Sequence, residues 1–171
     1  MTVVDGVKSE VRDVMAGIPQ GSKLGPLLFI LYINDIQNEL ESEILIYADD
    51  TTLLASGANP AESAEMLNRD LCKISRWAET WKVSFGAEKS HDLLFSLNDQ
   101  VNSNPVKYRG DTIKKVTVHK HLGVYLTGNL DWSIQIYNVC LRANRKLSVL
   151  RRVQYLQRST LDMLYKVTNF F

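Results

Sequence analysis

The sequence predicts an α+β fold, on three observations. Apolar residues recur at three- and four-residue spacing over two long segments, near Ala61–Trp81 and from Asp131 to about Leu156. Short apolar or alternating runs, bounded by turn residues, fill the chain before and between them. The two kinds of segment follow each other in mixed order, without a regular β–α alternation.

Taken in order, "TVVDGVKSEVRDV" reads as a hairpin, with Asp5-Gly6 as the turn and valines alternating on the return strand. "GIPQGSKLGP" holds three glycines and two prolines in ten residues and is expected to be loop. From Pro26 to about Asn38 a helix is expected, with Pro26 suited to its first position. Its apolar residues are nearly continuous, so burial on most sides is expected. "EILIYADDTTLLAS" predicts two short strands around an acidic turn.

Between Ala61 and Trp81 the residues Leu67, Leu71, Ile74, Ala78 and Trp81 share a helical stripe, and Trp77 and Trp81 read as packing anchors. "FGAEKS" is a turn into the strand "HDLLFSL"; "NDQVNSNPV" is loop; Lys107 to Thr127 predicts two or three strands. The last helix has Asp131 near its N-cap. One face carries Trp132, Ile136, Val139, Ala143, Leu147 and Leu150, and Arg142, Arg145, Lys146 and Arg152 gather roughly opposite.

With 171 residues, 45% hydrophobic and 23% charged, the chain has the composition of a globular domain. The longest apolar run, "LLFILYI", is too short to span a bilayer, and the first residues lack a signal-peptide pattern. Cys72 and Cys140 are far apart, which argues against a disulfide framework or a zinc module and suits a reducing intracellular compartment. Both read as small core residues. Residues 1–106 carry 8 Lys/Arg against 16 Asp/Glu, a net of −8, and residues 107–171 carry 12 against 3, a net of +9. Such a basic end fits a polyanionic partner, nucleic acid being the commonest, and equally a solubilising surface.

Asp49 and Asp50 stand together inside an apolar ribbon. Two adjacent buried carboxylates repel each other and need a compensating cation. Hard oxygen ligands suit Mg²⁺, and paired ions about 4 Å apart stabilise the attacking and leaving oxygens of a phosphoryl displacement. Strand alternation makes the two acids unequal, so Asp49 is expected as the main ligand with Asp50 assisting. An exposed acidic turn remains the plainer alternative. "HKH" at His119 and His121 lacks a third ligand and reads as strand.

"GIPQGSKLGPLLFILYINDI" followed by "YADD" resembles the reverse transcriptases of non-LTR retrotransposons, particularly jockey-like LINE elements. The resemblance continues through the tryptophan-bearing helix, the turn with Lys89, "HLGVYL" and "RANRKLSVLRR". It implies RNA-directed DNA polymerisation in the nucleus or cytoplasm, more in keeping with the nucleus, with an RNA template, a DNA primer and dNTPs as partners. Mg²⁺, or Mn²⁺ in its place, is the implied cofactor, held by Asp49 and Asp50. Gln20, Gly21 and Tyr47 are placed near the incoming nucleotide and templating base. Lys89 is placed to protonate the departing pyrophosphate. His121, Leu122 and Gly123 match the primer grip, and Arg142, Arg145, Lys146 and Arg152 a backbone-contacting helix.

The implied architecture is a polymerase palm-type antiparallel sheet with packed helices over residues 1–127, then the start of a helical thumb over 128–171. In the family a further metal-binding aspartate lies upstream of the residues matched by Met1, on a strand beside the acidic hairpin. A palm-and-partial-thumb fragment without fingers is therefore expected, inactive alone and prone to self-association through an exposed sheet edge. A non-catalytic, retroelement-derived nucleic-acid-binding protein is the alternative, and a palm-type nucleotide cyclase a more distant one.

Overall fold

The computed structural model describes residues 3–10, 21–97 and 103–169. The chain divides into two compact units, Met1–Leu54 and Ala55–Phe171. Both helices and strands are present, and the class is α+β.

In the first unit, β1 (Val3–Val4) and β2 (Val7–Lys8) pair antiparallel around Asp5-Gly6. Both loop residues have positive φ, +49° and +78°, the pattern of the tight hairpin turn that Asp-Gly favours. The rest of the expected return strand lies outside the described residues, as does Gln20. Helix α1 (Leu24–Ile33) begins two residues before Pro26, and a 3-10 turn continues it over Asn34–Gln37. Pro26 thus sits within the first turn, where a missing N–H costs no intrahelical bond. The expected burial of this helix does not hold. Only Gly25 and Ile33 are buried, and Leu24, Leu27, Ile30 and Leu31 are each more than half exposed. Its apolar residues encircle the axis, and one neighbouring layer can cover only one side. Antiparallel strands β3 (Glu43–Tyr47) and β4 (Asp50–Leu54) complete the unit as a two-stranded ladder.

The second unit is organised by α2 (Pro60–Trp81). Asn59 caps it by accepting from the Glu62 amide at 2.9 Å, with Pro60 in the first position. Its buried residues are Ala64, Asp70, Ile74 and Ala78, three of them apolar and the last three at four-residue spacing. Leu67, Leu71 and Trp77 are half-buried, whereas Trp81, at the end of the stripe, is 40% exposed. After a 3-10 turn at Ala87–Lys89 come β5 (His91–Leu93), β6 (Lys107–Tyr108), β7 (Asp111–Thr112), β8 (Lys114–Val116), β9 (Val118–His121) and β10 (Val124–Thr127). Six short strands replace the three or four expected here.

Three two-stranded ladders result. β6–β7 and β9–β10 are antiparallel hairpins, and β5–β8 is parallel. Val106, Tyr108 and Ile113 from the strand side are buried, as are Ile74 and Ala78 of α2. The Asn68 side chain joins helix to hairpin, donating to the Pro105 carbonyl and accepting from the Lys107 amide at 2.8 Å. Gly128 ends β10 where only glycine fits, because a Cβ there would lie 2.8 Å from the Leu94 carbonyl oxygen.

Helix α3 (Ser133–Arg152) follows, and then α4 (Arg158–Asn169), which the periodicity did not predict. Trp132 occupies the N-cap position of α3 and makes no side-chain cap. Asp131, one residue earlier, does the capping, accepting from the Ser133 amide at 3.0 Å and its hydroxyl at 2.8 Å. Those hydrogen bonds hold its carboxyl below the usual carboxylate range. The predicted apolar face of α3 is exposed at Trp132, Ile136, Val139 and Leu147. The face toward β10 instead includes Gln135, whose Oε1 accepts from the Tyr125 amide. Cys72 and Cys140 are exposed, not core residues: Cys72 falls off the buried stripe of α2, and α3 buries no residue. No helix among the described residues is long and apolar enough to cross a membrane.

Candidate functional site

The acidic pair is shaped by hairpin register. Tyr47 pairs with Asp50 at the end of the ladder, so Ala48 and Asp49 form a two-residue loop. Asp50 is the first residue of β4 rather than part of the turn. Cross-strand partners share a face, so Leu45, Tyr47, Asp50 and Thr52 lie on one side, with Ile44, Ile46, Thr51 and Leu53 on the other. Ala48 carries a φ of +52°, the left-handed region that costs an L-residue about 1 kcal/mol or more. In three other tight hairpins, at Asp5-Gly6, Arg109-Gly110 and Leu122-Gly123, a glycine takes the second loop position. This one alone among the four does without it.

Asp49, Asp50 and Tyr47 are exposed, Tyr47 by 66%. The pair is thus exposed rather than enclosed by the apolar ribbon around it. Neither has a hydrogen-bond or ion-pair partner among the described residues. As donors they fit a hard divalent ion in kind, being two oxygen acids on consecutive residues. They fall short in number, because no group of three His, Cys, Asp or Glu residues that could hold a metal occurs among the described residues. An ion here would complete its shell with water and substrate oxygens. Gly21, in the same unit, has a φ of +82° and open space around its α-carbon.

The remaining predicted residues belong to the second unit. Lys89 is exposed at the end of the 3-10 turn, two residues before β5. The Ser90 hydroxyl donates to the Gly86 carbonyl at 2.9 Å and ties that turn together. His121, Leu122 and Gly123 form the tip of the β9–β10 hairpin, with Leu122 at φ +47° and Gly123 at +86°. Leu122 is 51% exposed there, an apolar residue held in a strained conformation. On α3, Arg142, Arg145 and Arg152 are exposed, and Lys146 is half-buried and engaged within the chain.

Three features were missed by sequence reasoning. His91 stacks near His119 at a ring distance of 4.9 Å, and His119 lies 6.3 Å from His121, so all three histidines of the chain gather on β5 and β9. Spacing showed only the pair on β9. Asp70 is fully buried on α2, its carboxylate accepting from Lys73 Nζ at 3.0 Å. A charged residue on an apolar stripe was the available signal. Asp92 is half-buried, and that burial pushes its carboxyl up, partly offset by the Lys115 cation opposite it on β8.

The sequence model of the reverse transcriptase (RNA-dependent DNA polymerase) family matches residues 1–125. Among known proteins the chain is similar to the RNA-directed DNA polymerase from mobile element jockey of Drosophila melanogaster, 34% identical over 145 residues. That match covers 80% of this chain and 16% of the relative. The jockey polymerase of Drosophila funebris is 33% identical over 135 residues, covering 74% of this chain and 14% of the relative. The probable RNA-directed DNA polymerase from transposon X-element of Drosophila melanogaster is 28% identical over 145 residues, covering 82% and 16%. The chain thus spans about a sixth of the length of these relatives. No solved structure gives a significant match.

Proposed function

The chain belongs to the reverse transcriptase (RNA-dependent DNA polymerase) family, and from that premise we propose that it supplies the acidic turn and part of the nucleic-acid surface of an RNA-directed DNA polymerase. The observation that carries this reading is the Asp49–Asp50 hairpin, which lies within the matched residues and has no cation paired with it among the described residues. In the proposed reaction a primer 3′-hydroxyl attacks the α-phosphate of a dNTP, and the bond to pyrophosphate breaks in line.

Asp49 and Asp50 would hold Mg²⁺, or Mn²⁺ in its place. When bound, that ion supplies charge stabilisation to the attacking and leaving oxygens. Asp49, free of the ladder in the loop, is the main ligand, and Asp50 is turned toward the Tyr47 face. Tyr47, with Gln20 and Gly21, lines the place of the incoming nucleotide and templating base. Lys89 donates a proton to the departing pyrophosphate. His121, Leu122 and Gly123 hold the primer end. Arg142, Arg145, Lys146 and Arg152 neutralise template–primer phosphates without reading sequence.

On this reading residues 1–127 serve as palm and 128–171 as the start of a thumb, and the nucleus, more than the cytoplasm, is the proposed site of action. Among the described residues β3 and β4 have no third strand, and their free edges are the proposed route of self-association.

The test is dNTP incorporation on a primed RNA template. It compares the chain alone with the chain joined to a fingers-and-palm segment from a family member, each with and without Asp49→Asn. Incorporation by the joined protein that Asp49→Asn abolishes is the expected result. Template binding with no incorporation in any form would support the non-catalytic nucleic-acid-binding reading instead.

A further inference from the structure

We propose that the groove between α2 and the β6–β7 hairpin seats the phosphate backbone of a polynucleotide strand. The groove has a volume of about 530 Å³, and Leu71, Cys72 and Ser75 of α2 line one wall. That is room enough for one nucleotide unit. Its cations are Arg76 on α2 and Lys107 and Arg109 on the hairpin, and among the described residues no carboxylate lines it.

The three cations are not equivalent. Arg109 is fixed in place, donating to the Ser75 hydroxyl at 3.0 Å, pairing with Glu79 at 3.5 Å and lying over the Tyr108 ring at 5.6 Å. Glu79 offsets much of its charge. Arg76 and Lys107 are exposed, and their side chains have no partner among the described residues. Two uncompensated cations therefore line a groove whose walls are already clamped by Asn68. Behind the wall, Tyr108 is 4% exposed, and its buried hydroxyl approaches Ser75 without a hydrogen bond of full geometry. A pair of uncompensated cations with apolar wall between suits a phosphodiester followed by its sugar, and an arginine matches phosphate geometry best. The choice of a polynucleotide over another phosphate ligand rests on the polymerase reading above.

Cys72 gives a direct probe, because it is exposed in the groove wall one helical turn before Arg76. In the full chain carrying Cys140→Ser, Cys72 is the single thiol. A single-stranded oligonucleotide should slow its alkylation by a neutral maleimide several-fold. Arg76→Gln with Lys107→Gln should remove that protection, lower the slope of log affinity against log salt by about 1.4 for a single strand, and leave the melting transition in place. Unprotected Cys72 under saturating oligonucleotide overturns the proposal. Equal protection by inorganic phosphate or a mononucleotide at the same concentration overturns the strand assignment. If the chain joined to the fingers-and-palm segment incorporates dNTPs while Cys72 stays unprotected, the groove fails and the polymerase reading stands. If Cys72 is protected while that joined protein never incorporates, the groove stands and the polymerase reading fails.

Discussion

Tyr47 and Asp50 are direct partners across the β3–β4 hairpin, which leaves Ala48 and Asp49 alone in the loop. The two acids that are neighbours in sequence are thus in different structural situations. Asp49 is free of the ladder, and Asp50 is held by strand geometry on the face of Tyr47.

From that difference, Asp49→Asn should weaken Mn²⁺ binding by at least about tenfold, about 1.4 kcal/mol. Asp50→Asn should weaken it less. Paramagnetic titration of the two variants and the native chain measures both. Small and equal losses would return the pair to an exposed turn without a metal role.

Ala48→Gly should stabilise the hairpin by about 0.5 kcal/mol. Relief of the left-handed strain at φ +52° outweighs the greater backbone entropy that glycine loses on folding. Amide exchange at Tyr47 and Asp50 should slow about twofold. Faster exchange would show that the loop conformation is not strained.

Asp70→Ala should cost about 3 kcal/mol, because it empties a fully buried position and removes the carboxylate to which Lys73 donates. Lys73 is 22% exposed and can partly turn to water, so Asp70→Asn, which keeps the shape, should cost less. Urea midpoints of the two variants decide this. A loss below about 1 kcal/mol for Asp70→Ala would mean that the pair is dispensable to the α2 packing.

The raised carboxyl of Asp92 makes stability depend on pH in a defined sense. The folded chain binds this proton more tightly than the unfolded chain. Stability therefore falls as pH rises from the ordinary aspartate range near about 4 through the folded value, and levels off above it. Asp92→Asn should remove that component, so its gain over the native chain is larger at neutral pH than at pH 4. An equal gain at both values would indicate a packing effect without proton linkage.

On α3, replacing Arg142, Arg145 and Arg152 with Gln should each flatten the salt dependence of binding to an RNA–DNA hybrid by about one unit. Lys146, already engaged within the chain, should contribute less. An unchanged slope after all three replacements would remove α3 from the nucleic-acid surface.

Family, class and long elements were legible in the sequence by itself. The "PQGSKLGPLLF" and "YADD" segments carry the reverse transcriptase resemblance, and α2 announces itself through its cap at Asn59 and its stripe through Ile74 and Ala78. These signals are local, written in residues within a turn or two of each other. Tertiary structure alone decided the rest. Whether Asp49 and Asp50 are buried depended on what covers the hairpin, and both are exposed. The apolar stripe of α3 could not reveal that Gln135, not Ile136, would meet β10. His91 joins His119 and His121, and Arg109 reaches Ser75, across 28 and 34 residues of chain. Side-chain periodicity says which face an element offers, but partner choice is set by contacts between segments far apart in sequence, where no local pattern records it.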